Sequence, residues 1–261
     1  MNKPRIHILS NLARAGGTLV SRCLGAMDNT VLLSEIHPLG TQIFNPLAQA
    51  HDWYDLLSPE ETSGQVDFIE AIQLIEQRCQ ASCKTLVIRD WAHLDFIGRP
   101  FIKTPTYRLQ LTETLSPAFN VVQFALVRHP VDQWISTSSL NIMQGQLELD
   151  MFLAGYRRFA EQAVKSGFMR FEDFTREPHA QTHRLCQHLK ISYDPGFIDH
   201  WQSNTRVTGD VSKTSRGSRM NEIRPLRQHA VSNSLMARFR NNSDYRQAIK
   251  LLGYTDPATV T

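Results

Sequence analysis

The sequence predicts an α/β fold: a parallel five-stranded sheet with helices on both faces, in a single domain covering residues 1–261. Three observations lead there. Short β-rich apolar runs recur between longer helical patterns. The runs are mostly apolar, as in strands buried on both faces. Strand and helix follow one another in turn, the order that right-handed parallel crossovers require.

The strand runs are Ile6 to Leu9, Val31 to Leu33, Thr85 to Ile88, Val121 to Val127 and, more weakly, Phe168 to Phe171. Helices are predicted near Thr18 to Met27, Val66 to Ser82, Asp132 to Met143, Leu149 to Lys165 and Pro178 to Leu189, with a final one near Ser234 to Leu252. In the second helix Val66, Ile69, Ile72 and Ile75 recur every three residues, with Glu70, Glu76 and Arg78 between them, giving one buried and one wet face. Leu39 to Glu61 and Arg99 to Ser116 read as loops. Asn204 to Gln228 is a long polar segment in which Arg206, Lys213, Arg216, Arg219, Arg224 and Arg227 face only Asp210 and Glu222, a composition suited to clamping an anion.

Composition excludes several function classes. The chain is 41% hydrophobic and 20% charged, an ordinary globular balance. A formal charge of +3 is too small for a general attraction to nucleic acid, so any polyanion site must be a local cluster of cations. No apolar run approaches the length of a membrane span, and the apolar stretch near Met1 is short for a signal peptide, so a cytoplasmic protein is expected. Cys23, Cys79, Cys83 and Cys186 are too sparse for a disulfide framework and are expected as thiols. Cys79 and Cys83 are four apart but lack further ligands nearby, so no metal site is expected there.

The first motif that carries chemistry is Leu9-Ser-Asn-Leu-Ala-Arg-Ala-Gly-Gly-Thr-Leu-Val-Ser-Arg-Cys-Leu, a strand entering a glycine turn and then a helix. Gly16 and Gly17 let backbone N–H groups turn inward, and the helix beginning near Thr18 offers donors and a positive dipole end to an anion. Arg14 and Thr18 add side-chain donors. The turn is P-loop-type in geometry but lacks the Lys-Ser/Thr pair of a Walker A loop, because its cation precedes the glycines. Such a turn is also compatible with a purely structural role.

The second motif is Val121-Val-Gln-Phe-Ala-Leu-Val-Arg-His-Pro-Val-Asp-Gln-Trp-Ile-Ser, a buried strand ending in Arg128 and followed by a helix with Pro130 in its first turn. Arg128 and Ser136 are placed to converge on a phosphate, one by a charged fork and one by a hydroxyl. A lone arginine at a strand end is commonly just solvated, so the argument needs both motifs.

With both motifs the chain resembles the sulfotransferases that use 3'-phosphoadenosine 5'-phosphosulfate (PAPS). That family's 5'-phosphosulfate loop has a cation, glycine and threonine after the first strand, here Arg14-Ala15-Gly16-Gly17-Thr18. Its 3'-phosphate motif has Arg, Pro two residues on and Ser at the ninth position, here Arg128, Pro130 and Ser136. Arg170-Phe-Glu-Asp-Phe is similar to the family's Tyr-Glu-Asp-Leu segment, and Gly209-Asp-Val-Ser-Lys-Thr-Ser-Arg-Gly adds a further likeness, so the resemblance spans most of residues 5–228. It implies PAPS as donor, adenosine 3',5'-bisphosphate as product and no metal. It also implies that Lys213, Arg216 and Gly217 close on the 3'-phosphate.

The chain departs from many cytosolic members, which have Lys in place of Arg14 and Lys-Thr-His where this sequence has Arg89-Asp90-Trp91. It is closer to branches that use a carboxylate base, and Glu35 stands in the corresponding region. The resemblance therefore implies Arg14 and Thr18 on the 5'-phosphate, Arg89 on the transferring sulfuryl group, and Glu35 as proton acceptor, with His37, Asp90 or His93 as alternatives. Trp91 and Trp134 are expected in the core. The acceptor, whether small molecule, sugar or peptide, is not specified, nor is the oligomeric state. A P-loop small-molecule kinase and a catalytically silent nucleotide-binding protein are the competing readings.

Overall fold

The computed structural model describes residues 3–64, 66–209 and 222–257. Five strands, β1 (Arg5–Asn11), β2 (Thr30–Ile36), β3 (Thr85–Asp90), β4 (Asn120–Val127) and β5 (Phe168–Arg170), form one parallel sheet in the order β2-β3-β1-β4-β5. After β1 the chain moves to one side of the sheet; with β4 it moves to the other. The crevice at the carboxyl ends of β1 and β4 is therefore the switch point at which open α/β sheets take ligands.

The helices follow in chain order. Before β3 lie α1 (Gly17–Gly25), α2 (Pro46–Tyr54), α3 (Pro59–Ser63) and α4 (Phe68–Ala81). Between β3 and β5 lie α5 (His93–Phe96), α6 (Gln110–Leu115), α7 (Pro130–Ser138) and α8 (Leu149–Ser166). After β5 come α9 (Phe171–Arg176), α10 (Pro178–Leu189), α11 (Phe197–His200), α12 (Asn233–Asn241) and α13 (Ser243–Leu252).

Both sheet faces are buried, which is why the strands read as continuous apolar runs. Leu9, Leu32, Val87, Phe124 and Leu126 face α1 and α10, against Val20, Cys23, Leu24, Leu185 and Leu189. Their alternates Ile6, Ile8, Val31, Leu33 and Ile88 face α2 and α4, against Ala50, Ile72 and Ile75. Farther along that second face Ala125 and Val127 meet Phe152, Tyr156 and Phe159 of α8, over which α12 and α13 place Phe239, Tyr245 and Leu252.

The predicted five-stranded parallel sheet is thus observed, with corrections at element ends. The helix expected from Val66 starts at Phe68, because Asp67 caps it in a reciprocal box with Glu70. Phe171 opens α9 and does not close β5. The helix expected over Asp132 to Met143 begins at Pro130, ends at Ser138 and is followed by a single 3₁₀ turn, Asn141–Met143. The single final helix is two: Asn242 leaves helical geometry, and its side chain accepts the Tyr245 N–H at 3.0 Å to start α13. The segments read as loops contain α2, α3 and α6; proline at the first turn of α2 and α3, after Asn45 and Ser58 caps, supplies their start signals.

Gly155 of α8 matters to the site through α5. A Cβ there would lie 2.0 Å from the backbone oxygen of Phe96, so only glycine lets α8 press against the short helix that carries His93. Gly155→Ala should lower stability by about 1–3 kcal/mol, seen as a lower urea midpoint with an unchanged m-value. An unaltered midpoint would mean that the two helices separate without cost.

Candidate active site

The strand-to-helix turn after β1 forms an anion cradle. Gly16, the N-cap of α1, has φ +96°, and a Cβ there would lie 2.2 Å from the Phe171 ring. Among the described residues no side chain caps α1, and the positive end of its dipole points into the cradle. Arg14 also has a left-handed backbone, φ 65°, which a non-glycine residue adopts only at some cost.

The two motifs meet here. Arg14 Nε donates to Ser136 Oγ at 2.9 Å, across 122 residues of chain. Arg128 Nη1 donates to the carbonyl of Arg14 at 3.1 Å, and its guanidinium lies 5.6 Å from the centre of the Phe171 ring. Arg128 is itself held from behind. The N–H of the next residue, His129, donates to Glu172 at 2.8 Å, and the other oxygen of that carboxylate accepts Tyr254 OH at 2.7 Å. His129 Nε2 donates to Thr255 O at 3.0 Å. Glu172, part of the weakly matching Arg170-Phe-Glu-Asp-Phe segment, thus positions the strand end that carries Arg128.

Arg89 stands at the end of β3, fully buried. Its Nη2 lies 3.4 Å from Glu35 Oε1 and donates to Thr208 O at 3.0 Å, and Nη1 reaches Thr18 Oγ1 at 3.4 Å. Glu35 is brought there by a register shift between β2 and β3, with Glu35 itself at φ 57°. The late polar segment begins in the same place: the Thr208 N–H donates to Ser34 Oγ at 3.0 Å, and Gly209 lies against Thr18. Lys213, Arg216 and Gly217 lie outside the described residues.

These groups line a cavity of about 680 Å³, within the range of ligand sites. Arg14, Gly16, Gly17, Thr18, Glu35, Arg89, Arg128 and Ser136 all border it, and Ala15 is buried within the same turn. The sequence reading missed Arg22, four residues after Thr18 on the same face of α1, as well as Phe44, Phe101, Ile142 and Met143. Trp91, expected in the core, lies on the cavity wall, whereas Trp134 packs against Phe152 at 5.4 Å as expected.

Of the alternative proton acceptors, His93 borders the cavity and His37 and Asp90 do not. His37 is completely buried: Nδ1 accepts the Leu39 N–H and Nε2 donates to Asp95 at 3.2 Å, so both ring nitrogens are engaged in holding a loop. Strand alternation separates Asp90 from Arg89. Arg89 points to the α1 face, while Asp90 points to the opposite face and accepts from Ser10 Oγ at 3.0 Å. His93 is 2% exposed; its Nε2 donates to Arg99 O at 2.9 Å, which leaves Nδ1 as an acceptor with no partner among the described residues. Burial holds its pKa below the usual histidine range, keeping the ring neutral at pH 7.

No protein-family model matches the sequence, and a search of curated proteins finds no relative. Solved structures do match. The sulfotransferase domain of the Synechococcus PCC 7002 olefin synthase aligns with 98% of this chain and 98% of its own, with a TM-score of 0.64 at 15% identity. The sulfotransferase domain of the curacin biosynthetic pathway aligns with 98% of this chain and 100% of its own, with a TM-score of 0.62 at 17% identity. The chain therefore has the sulfotransferase fold. Among the described residues no helix is long and apolar enough to cross a membrane.

The buried Asp90 supplies a test of this geometry. Burial, reinforced by the Asp95 charge, raises its pKa above the ordinary carboxylate range. The folded state then holds a proton that the unfolded chain releases above about pH 4, so Asp90 detracts from stability increasingly as pH rises toward neutrality. Asp90→Asn should gain stability over the parent in urea unfolding, with a difference small at pH 4 and growing toward pH 7. A difference independent of pH would mean that the carboxyl is not desolvated.

Proposed function

We propose that this protein is a sulfotransferase that moves a sulfuryl group from PAPS to a hydroxyl or amine of an acceptor. The observation that carries the reading is the junction of the two motifs: Arg14 bonded to Ser136, and Arg128 bonded to the Arg14 backbone, beside the N-terminus of α1. One chain position alone would bind one anion weakly. Two cationic groups fixed to each other suit a nucleotide with phosphates at both ends of its ribose.

In this reading Arg14, Ala15, Gly16, Gly17 and Thr18 hold the 5'-phosphate, and Arg128 with Ser136 holds the 3'-phosphate. Arg14 stands between them. Guanidinium groups remain charged throughout and stabilise negative charge without giving up a proton. Sulfuryl transfer is treated as an in-line displacement in which the protein aligns two oxygens and stabilises charge on the departing phosphate. Arg89 serves that charge from its buried position beside Thr18, with Glu35 balancing it until the donor arrives. Glu35 and His93 form the proton-accepting side, since both lie on the cavity wall next to Arg89. The single domain of 1–261 and a cytoplasmic setting belong to the same proposal.

Adenosine 3',5'-bisphosphate at a hundred times its dissociation constant should stabilise the fold by about 2.7 kcal/mol, equally with and without magnesium, as read by thermal melting. Arg128→Ala should weaken that binding by about ten- to a hundredfold, the loss of charge-assisted hydrogen bonds. Stabilisation only by ADP with magnesium would move the assignment to a kinase. Binding without turnover on a broad acceptor panel would favour a silent nucleotide-binding protein.

A further inference from the structure

Strand β2 lies at the edge of the sheet, and along its outer side α2 supplies hydrogen bonds that a further strand would otherwise make. Tyr54 OH accepts the Leu32 N–H at 3.0 Å and donates to the Leu32 carbonyl at 3.0 Å. Two residues on, Gln49 does the same for Ser34. Its Oε1 accepts the Ser34 N–H at 2.7 Å, and its Nε2 donates to the Ser34 carbonyl at 2.8 Å. A carboxamide carries the donor and acceptor of a peptide group, so the buried Gln49 stands in for a strand residue.

The residue that Gln49 grips begins a bulge. Leu33 pairs with Ile88 and Ile36 with Asp90, so Ser34 and Glu35 together stand opposite Arg89. Val31, Leu33 and Ile36 pack on the face of the sheet that meets α2 and α4, and strict alternation would send Glu35 there with Leu33. Instead Glu35, at φ 57°, lies 3.4 Å from Arg89 Nη2 and borders the cavity. A left-handed glutamate is unfavourable and persists only where its surroundings over-determine it. Ser34 bears on the same arginine through Thr208: its Oγ pairs with Thr208 Oγ1 at 2.9 Å, and Arg89 Nη2 donates to that Thr208 oxygen at 3.1 Å. Beyond the bulge the chain runs on to Phe44, whose ring lies 4.9 Å from Trp91, with Phe101 on Trp91 at 5.0 Å; these rings form an aromatic wall of the cavity.

We propose that Gln49 is a positioning residue for the transfer: by holding both backbone groups of Ser34 it fixes the bulge and keeps Glu35 turned onto Arg89. Gln49 does not itself border the cavity and acts through Glu35. Its two bonds fix the peptide planes on either side of Ser34, so the extra residue is taken up at Glu35 alone. Released from Gln49, Ser34 shares the distortion, and Glu35 returns toward an ordinary φ and carries its carboxylate away from Arg89. Leu32 is the internal comparison, held by Tyr54 in the same way but set in regular pairing with Val87. The reaction that Gln49 serves rests on the sulfotransferase reading; its hold on the bulge does not.

The test uses the intact chain and three variants. In Gln49→Met, which keeps the length and loses both bonds, a crystal structure should show the contact between Glu35 and Arg89 broken. With PAPS and whichever acceptor of a hydroxyl and amine panel the parent turns over fastest, its kcat should fall about tenfold to a hundredfold, with KM for PAPS and affinity for adenosine 3',5'-bisphosphate unchanged. In Gln49→Glu the neutral carboxylic acid donates and accepts as the carboxamide does, and burial favours that neutral form. Its kcat relative to the parent should therefore recover as pH is lowered from about 8 to about 6, while that of Gln49→Met stays flat. Tyr54, beside it on the strand edge, is not ionised in this range, its pKa being pushed up by burial to about 12. Tyr54→Phe, which loses two bonds of the same kind, should lower the urea midpoint and leave kcat unchanged. Crystals of Gln49→Glu at the two pH values carry the same decision if Gln49→Met does not fold. Glu35 still on Arg89 with kcat unchanged in Gln49→Met, or an equal loss of kcat in Tyr54→Phe, overturns the assignment and makes α2 a plain edge cover. Failure of adenosine 3',5'-bisphosphate to bind the parent overturns the sulfotransferase reading, and the crystal structures then still decide whether Gln49 sets the bulge.

Discussion

The site depends on one buried charge. Arg89 is removed from water at the carboxyl end of β3, which costs several kcal/mol for an isolated ion, and burial accordingly lowers its pKa while Glu35 opposes the shift. What makes the position tenable is that four segments converge on it: Thr18 from the glycine turn, Glu35 from the distorted end of β2, Thr208 from the late loop, and β3 itself. Among the described residues Nε of Arg89 still lacks a partner. A group held so tightly yet not fully satisfied is already oriented before a negative ligand arrives, so little reorganisation is needed when one does.

The cradle and the aromatic wall divide the cavity by chemistry, and the division follows from the topology. The cradle is built on β1, α1 and β4, the central elements, where backbone direction is fixed by neighbours on both sides. The wall is built from the segments that follow β2, β3 and α7, which cross the surface and vary easily. The cradle thus sits on the stiff part of the fold and the aromatic wall on the adaptable part.

Much of this was legible in the sequence because it is local. Arg14 through Thr18 form one turn, and Arg128, Pro130 and Ser136 belong to one strand and the helix after it, so spacing alone carried both motifs. Strand alternation was equally available: adjacent residues point to opposite faces, so Arg89 and Asp90 were never both able to serve one site. Other features needed tertiary information. Glu35 reaches Arg89 only through a register shift, and the approach of Phe44 to Trp91 to Phe101 joins three stretches of chain that no periodicity connects. The break at Asn242 was hidden for another reason: apolar residues of helical spacing lie on both sides of it, and only the side-chain cap stops one helix and starts the next.

The brace behind Arg128 gives the fold an order of completion. Glu172 accepts from His129 and from Tyr254, and His129 in turn donates to Thr255. During synthesis the glycine turn, β4 and Arg128 all leave the ribosome well before residues 254 and 255 do. A nascent chain that has already made its central strands therefore lacks two of the contacts that brace the strand end carrying Arg128, the one from Tyr254 to Glu172 and the one from His129 to Thr255. The support behind the Arg128 strand end is complete only when that distant segment has docked, and any exchange of the segment away from His129 in the mature protein loosens that strand end from behind.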